Sequence, residues 1–180
     1  MLTSSNCPIV DIAGHSYSIW KSRAHLKDKI PSKVALSWRG ISFHDGSGLL
    51  RSFCNDELET STHLFSSCKI IYSVWQLLYN WLNISVALPQ NPLHHYNNHL
   101  GMVSDRKGRK AWSIIWLATV WAIYRHQNEV ILNKIRPSIK YILDTARVNV
   151  WLWIKHTTES DFTLYSDWLA KPLDCLKVTL

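Results

Sequence analysis

Apolar residues recur along most of this chain at spacings of three and four, which predicts helices; no strand-like alternation competes. The most apolar segment, 111–133, carries two neighbouring stripes. One is Trp112, Ile115, Trp116, Thr119, Val120 and Ile123; the other is Ile114, Leu117, Trp121 and Tyr124. A helix apolar nearly all round belongs between other helices, so this one is expected at the centre. Beyond Pro137, residues Ile139, Ile142, Leu143, Ala146, Val150, Trp153 and Ile154 predict a helix over 138–156. Upstream, Ile70, Val74, Leu77, Leu78 and Trp81 predict a buried stripe on a helix that starts near Thr62 or His63, with Gln76, Asn80 and Asn83 facing water.

Shorter helices are expected over 17–27, closed by Ile30-Pro31, and from Lys33 to about Arg39, capped by Ser32 and ended by Gly40. A terminal turn or helix carries Trp168 and ends at Pro172. Residues 1–14 read as a loose leader, 44–50 as a turn-rich connection and 85–104, with two prolines and no charge, as a long connection. The expectation is an all-α fold of five to six helices around tryptophan-rich stripes, with an irregular turn between the second and third helices. Residues 15–104 form one unit, and 105–180 a helical tail that packs on it.

Composition agrees with a folded chain. In 180 residues, 47% are apolar and 18% charged, enough to bury a core in one domain. Ten tryptophans demand large apolar partners. Their spacing follows the apolar faces, so they read as core and not as base-stacking platforms. Four scattered cysteines are too few for a secreted disulfide scaffold. The N-terminus lacks the basic lead and apolar block of a signal peptide, so an intracellular setting, nuclear or cytoplasmic, is expected. The charge-free run from Ile70 to Ser104 is broken by Gln76, Asn80, Asn83 and Pro89, which argues against a membrane span. Asn83-Ile84-Ser85 matches a glycosylation acceptor, a chance match in that setting.

The stretch 54–68, CNDELETSTHLFSSC, changes the picture, because it gathers Cys54, His63 and Cys68. Zinc takes tetrahedral thiolate and imidazole ligands, and clustered sites usually open with two cysteines three positions apart. Here Arg51 stands three positions before Cys54, and a guanidinium cannot bind a cation. Three of four ligands are therefore present. The competing reading makes Cys54 and Cys68 buried apolar thiols and His63 a helix-start residue. His63 and Cys68 lie five apart, about 140° around an α-helix, so both reach one metal only if His63 sits where the backbone is still turning. The neighbouring Asp56, Glu57 and Glu59 read as solvated acids.

These residues carry a resemblance. RSFCNDELETSTHLFSSC resembles the zinc-binding domain at the C-terminal end of plant LINE-type (non-LTR) reverse transcriptases, a pattern of Cys-x-x-Cys, an acidic loop ending in Glu-Thr, then His-Leu-Phe-x-x-Cys. Cys54, Glu59-Thr60, His63-Leu64-Phe65 and Cys68 match it, and Arg51 replaces its first cysteine. LKDKIPSKVALSWRGI upstream, and WLATVWAIYRHQNEVILN and SDWLAKPLDCL downstream, are similar to flanking parts of the family, so the resemblance spans 15–176. It implies a non-catalytic accessory domain with zinc at Cys54, His63 and Cys68, its fourth ligand missing at Arg51, and association with RNA or DNA.

Charge bears on that last point. The chain has a net charge of +7 and a pI near 9.3. Arg106, Lys107, Arg109 and Lys110 cluster ahead of the central helix, either as a solvated helix entry or as a non-specific nucleic-acid contact; Lys21, Arg23, Lys27, Lys29 and Lys33 add a second basic segment. Cations at a helix N-terminus repel its macrodipole, and bound phosphates relieve that. His94, His95 and His99 have a spacing that suits a metal but no cysteine or carboxylate nearby. No phosphate loop, nucleophile elbow, zincin helix or Asp-Asp pair occurs, so no enzymatic activity is expected. The alternatives to the accessory domain are a metal-free helical protein-interaction module and a decaying retrotransposon remnant.

Overall fold

The 28-residue helix Arg106–Asn133 is the longest of the described elements, and the helices Pro92–Gly101 and Ile139–Thr157 pack on it. The structure is a computed structural model, and it describes residues 32–42, 48–157 and 164–176. The expected 17–27 helix, the leader, and Lys21, Arg23, Lys27 and Lys29 lie outside them. In chain order the described elements are α1 (Lys33–Trp38), a π turn (His63–Ser67), α2 (Lys69–Trp81), α3 (Pro92–Gly101), α4 (Arg106–Asn133), α5 (Ile139–Thr157), α6 (Tyr165–Ala170) and α7 (Pro172–Leu176). The all-α expectation holds. The only extended pairing among the described residues is one antiparallel bridge, Leu50 with Leu58.

Several boundaries follow from the local signals already named. Ser32 caps α1, its hydroxyl accepting from the Ala35 amide at 3.2 Å, and Gly40 leaves the helix at φ +81. Both stripes of α4 are covered: Trp112, Ile115, Trp116, Thr119, Val120 and Ile123 are buried, and so are Ile114 and Leu117. The buried residues of α5 are the expected Ile142, Leu143, Ala146, Val150, Trp153 and Ile154. α5 packs along α4 and α2, while α3 lies on α4 and the π turn. One apolar core thus runs from Phe53 to Trp168. At its far end Trp168 is fully buried, and its indole N–H donates to the Arg147 carbonyl at 3.0 Å.

Three expectations are corrected. The stripe of α2 is rotated: Ile71, Val74, Trp75, Leu78, Tyr79 and Leu82 are buried, whereas Leu77 is 45% exposed. This stripe places Trp75 and Tyr79 inside, where the indole N–H donates to the Phe65 carbonyl at 2.8 Å and the hydroxyl meets His95 and His99. Residues 85–104 are not one long connection, because Asn91 caps α3 through Oδ1 and Pro92 occupies its first turn. Pro172 does not only end a helix; it opens α7. At the end of α2, Asn83 takes the left-handed conformation and the Ile84 amide donates to the Tyr79 carbonyl, a Schellman closure. No helix among the described residues is long and apolar enough to cross a membrane.

Candidate functional site

The irregular segment between α1 and α2 is a small loop closed by backbone bonds. The Arg51 amide donates to the Glu57 carbonyl at 2.9 Å and the Glu59 amide to the Leu49 carbonyl at 2.8 Å. A tight turn, with Asn55 at φ 54, carries Cys54 between them. Asp56 ties the loop to the start of α2 through Lys69, at 2.7 Å.

His63 and Cys68 approach each other because the backbone between them is not α-helical. His63–Ser67 form a single π turn, and Cys68 is extended at ψ 132 before α2 begins. A π turn closes between residues five apart, so it removes the 140° separation an α-helix would impose. The Thr60 hydroxyl accepts from the His63 amide at 3.1 Å and anchors this entry. As a result, one ligand atom each of Cys54, His63 and Cys68 lies within 4.8 Å of the others. That is somewhat wider than the roughly 4 Å expected around a bound zinc ion, and close enough to hold a metal ion.

The electrostatics of His63 suit a ligand. Its Nδ1 meets the Glu57 carboxylate at 2.8 Å and its Nε2 meets the Cys54 Sγ at 3.1 Å. The carboxylate fixes the proton on Nδ1, which leaves the Nε2 lone pair turned toward the cysteines. Burial lowers the His63 pKa, with the nearby Arg51 charge in second place and Glu57 opposing both, so the neutral, metal-binding form is favoured. Burial raises the Cys68 thiol, and the Arg51 cation pulls it back down. Glu57 was missed in the sequence, because nothing in linear spacing reveals that it reaches His63. Glu59 is no solvated acid: it is buried, and its Oε1 accepts from the Lys33 amide at 3.0 Å.

Arg51 does not coordinate, but it is inside the site. It is fully buried over the Phe53 ring, its guanidinium carbon 4.7 Å from the centroid, with Cys68, Glu59 and Cys54 as its electrostatic partners. Burial lowers its pKa, and Cys68, Glu59 and Cys54 oppose that in this order. A buried cation is costly unless its partners offset the lost hydration. It also works against a second cation between the same cysteines. The donors Cys54, His63 and Cys68 fit zinc in kind and in proximity; among the described residues no fourth donor joins them.

The other predicted groups separate. Arg106, Lys107, Arg109 and Lys110 lie within the first turns of α4, behind the N-cap Asp105 whose Oδ1 accepts from the Gly108 amide at 2.7 Å. They line one wall of a cavity of about 590 Å³, and Tyr96 and Leu100 of α3 line the other. None of the four cations forms an ion pair among the described residues. The Arg109 Nε donates to the Val103 carbonyl at 2.8 Å. Lys33 cannot extend a basic surface: it is buried, and its ammonium donates to the Leu50 carbonyl at 3.0 Å. Among the described residues, His95 and His99 join no cluster of three metal-ligating groups; both bond to the Tyr79 hydroxyl, at 3.0 and 2.8 Å. His94 is exposed.

Comparison of the chain with protein-family models, with curated proteins and with solved structures finds no match.

Proposed function

We propose that this chain is a non-catalytic, knuckle-bearing accessory domain of the LINE reverse-transcriptase kind, which binds zinc at Cys54, His63 and Cys68 and contacts RNA or DNA without sequence preference. In that role it works inside the cell, in nucleus or cytoplasm. The observation that carries the reading is the convergence of the three ligand atoms within 4.8 Å, by way of a π turn. The carboxylate on His63 Nδ1 supports it, since histidines that ligate metals usually hold such a partner on the other ring nitrogen. Zinc bound here would tie the loop to the start of α2, and its binding energy would add to the stability of the fold. The four cations at the start of α4 supply the phosphate contacts.

The test is metal content, measured on protein purified without chelator, beside thermal unfolding with and without added zinc. One zinc per chain and a higher melting temperature are expected. Arg51→Cys should raise zinc affinity and stability together, because it adds the fourth thiolate and removes a buried cation. A melting temperature that ignores excess zinc in both proteins counts against the reading.

The burial of Arg51 favours a second reading, a helical protein-interaction module that needs no metal. It predicts no bound zinc, no salt-dependent nucleic-acid binding and an intact helical spectrum. The first reading predicts a log–log salt slope that flattens by about 2–4 when the four cations are neutralised, at about 0.9 per duplex phosphate contact.

A further inference from the structure

The cavity between α3 and α4 has two unlike walls. On one side stand Arg106, Lys107, Arg109 and Lys110; on the other are the Tyr96 ring and Leu100. Among the described residues, no acidic side chain lines it. The side chain of the adjacent Asp105 is engaged by the Gly108 amide at 2.7 Å. The aromatic wall is held in place from behind. Tyr96 packs on Trp116 at 4.9 Å between centroids, and the next turn of α3 is fixed where the His99 Nε2 meets the Trp112 carbonyl at 2.8 Å. On the cationic wall, the Arg109 bond to Val103 steadies one guanidinium, while Arg106, Lys107 and Lys110 make no ion pair among the described residues. The volume, about 590 Å³, falls within the range of small-ligand pockets.

A groove with cations on one side and an aromatic ring on the other suits a ligand that has anionic groups and a flat ring. An unpaired nucleotide has both. In a duplex the bases are stacked inside and only phosphates reach such a groove, so its aromatic wall would contribute nothing. We propose that this groove takes a single-stranded nucleic-acid segment, with phosphates along Arg106, Lys107 and Lys110 and a base against Tyr96. The proposal rests on the nucleic-acid reading above and narrows it: binding is selective for unpaired strands, though indifferent to their sequence.

Fluorescence anisotropy tests it on the full chain. The probes are a labelled oligothymidylate of about ten nucleotides, within the usual single-strand site size, and a duplex of the same length at the same salt. The single strand should bind more tightly than the duplex. Tyr96→Ala should weaken single-strand binding by about 5- to 150-fold, the effect of removing one base–aromatic stack, leave duplex binding unchanged, and be matched by near-normal binding in Tyr96→Phe. Because Tyr96 also packs on Trp116, a second measurement is made on the unaltered protein. An oligonucleotide carrying the fluorescent base 2-aminopurine should be quenched on binding, as stacking requires. Duplex binding as tight as single-strand binding, or a 2-aminopurine signal that does not change, overturns the proposal but leaves phosphate contact standing. Failure of the unaltered protein to bind either probe overturns both.

Discussion

Buried histidines lie at opposite ends of α2, and they differ in what surrounds them. His63 at the loop end has a carboxylate on one ring nitrogen and a cysteine sulfur on the other. His95 and His99 at the far end share the hydroxyl of Tyr79, and the His99 Nε2 meets the Trp112 carbonyl. There the proton order follows from the partners. His99 donates from Nε2 to the carbonyl, so its Nδ1 accepts from Tyr79, whose oxygen in turn accepts from the Nε2–H of His95. Along this run donors and acceptors are matched. At His63 the lone pair on Nε2 points at a thiol, with a second thiol nearby. Burial alone does not distinguish a ligand from a structural histidine; the partner of each ring nitrogen does.

The sharpest way to break this contrast is acid. Burial pushes His95 down to about 4 and His99 to about 3, both below the ordinary 6.5. The unfolded chain therefore takes up protons first as pH falls. The stability these two contribute is complete above about pH 6.5 and is lost as pH drops from there toward their folded values. At about 1.4 kcal/mol per pH unit for each group, the pair should cost the fold up to about 4 kcal/mol between pH 7.5 and 5. Burial raises the Glu59 carboxyl, which binds a proton more readily in the folded state and so works in the opposite direction, while His63, lowered by burial, adds to the loss. Urea unfolding at the two pH values measures the difference; equal midpoints would mean that the histidines are not held neutral.

Tyr79→Phe comes next in size. It removes the hydroxyl that serves both histidines and leaves a buried acceptor and a buried donor unpaired. A loss of about 2–4 kcal/mol is expected, at about 1–2 for each of the two orphaned groups, in the lower part of the usual range. Zinc affinity, measured on the same variant, should not change, since Tyr79 touches none of Cys54, His63 and Cys68. A variant as stable as the parent would show that the shared hydroxyl does not hold this end of the core together.

How much of this was legible beforehand depends on the range of the forces involved. The central helix, α5 and the Ser32 cap could be read because periodicity and capping act within a few residues of each other. The triad of Cys54, His63 and Cys68 was legible as a set of residue types, and its geometric requirement as well: His63 had to sit on backbone that was still turning. The π turn that meets the requirement was not legible, since no local composition announces it. The face of α2 was misjudged by one position because five aliphatic and aromatic positions were fitted to a stripe that left out Trp75 and Tyr79. α3 was overlooked although Asn91-Pro92 is a helix start, because the absence of charge in 85–104 was given more weight than the cap. Glu57 on His63 and Tyr96 opposite the basic run are contacts made by the fold, and spacing carries no trace of them.

The smallest expected effect is also the one that separates the two ends of α2 most cleanly. Glu57 is two-thirds exposed, and its carboxylate meets His63 Nδ1 at 2.8 Å. Glu57→Gln keeps an oxygen that can accept from Nδ1–H but removes the charge, and Glu57→Ala removes both. Partners of this kind hold a ligating ring in its orientation and raise its basicity, and their loss usually weakens metal binding about 10- to 100-fold. Alanine should fall in that range and glutamine at or below its lower end. Without metal, an exposed side chain should matter little, within about 0.5 kcal/mol. Competition for zinc against a chromophoric chelator gives the affinity, and unfolding in chelator gives the metal-free stability. If Glu57 orients a ligand, the first falls while the second stands still, the reverse of what Tyr79→Phe should do. Should the alanine variant bind zinc as tightly as the parent, the carboxylate is a surface contact only, and His63 resembles His95 and His99 more than its neighbours suggest.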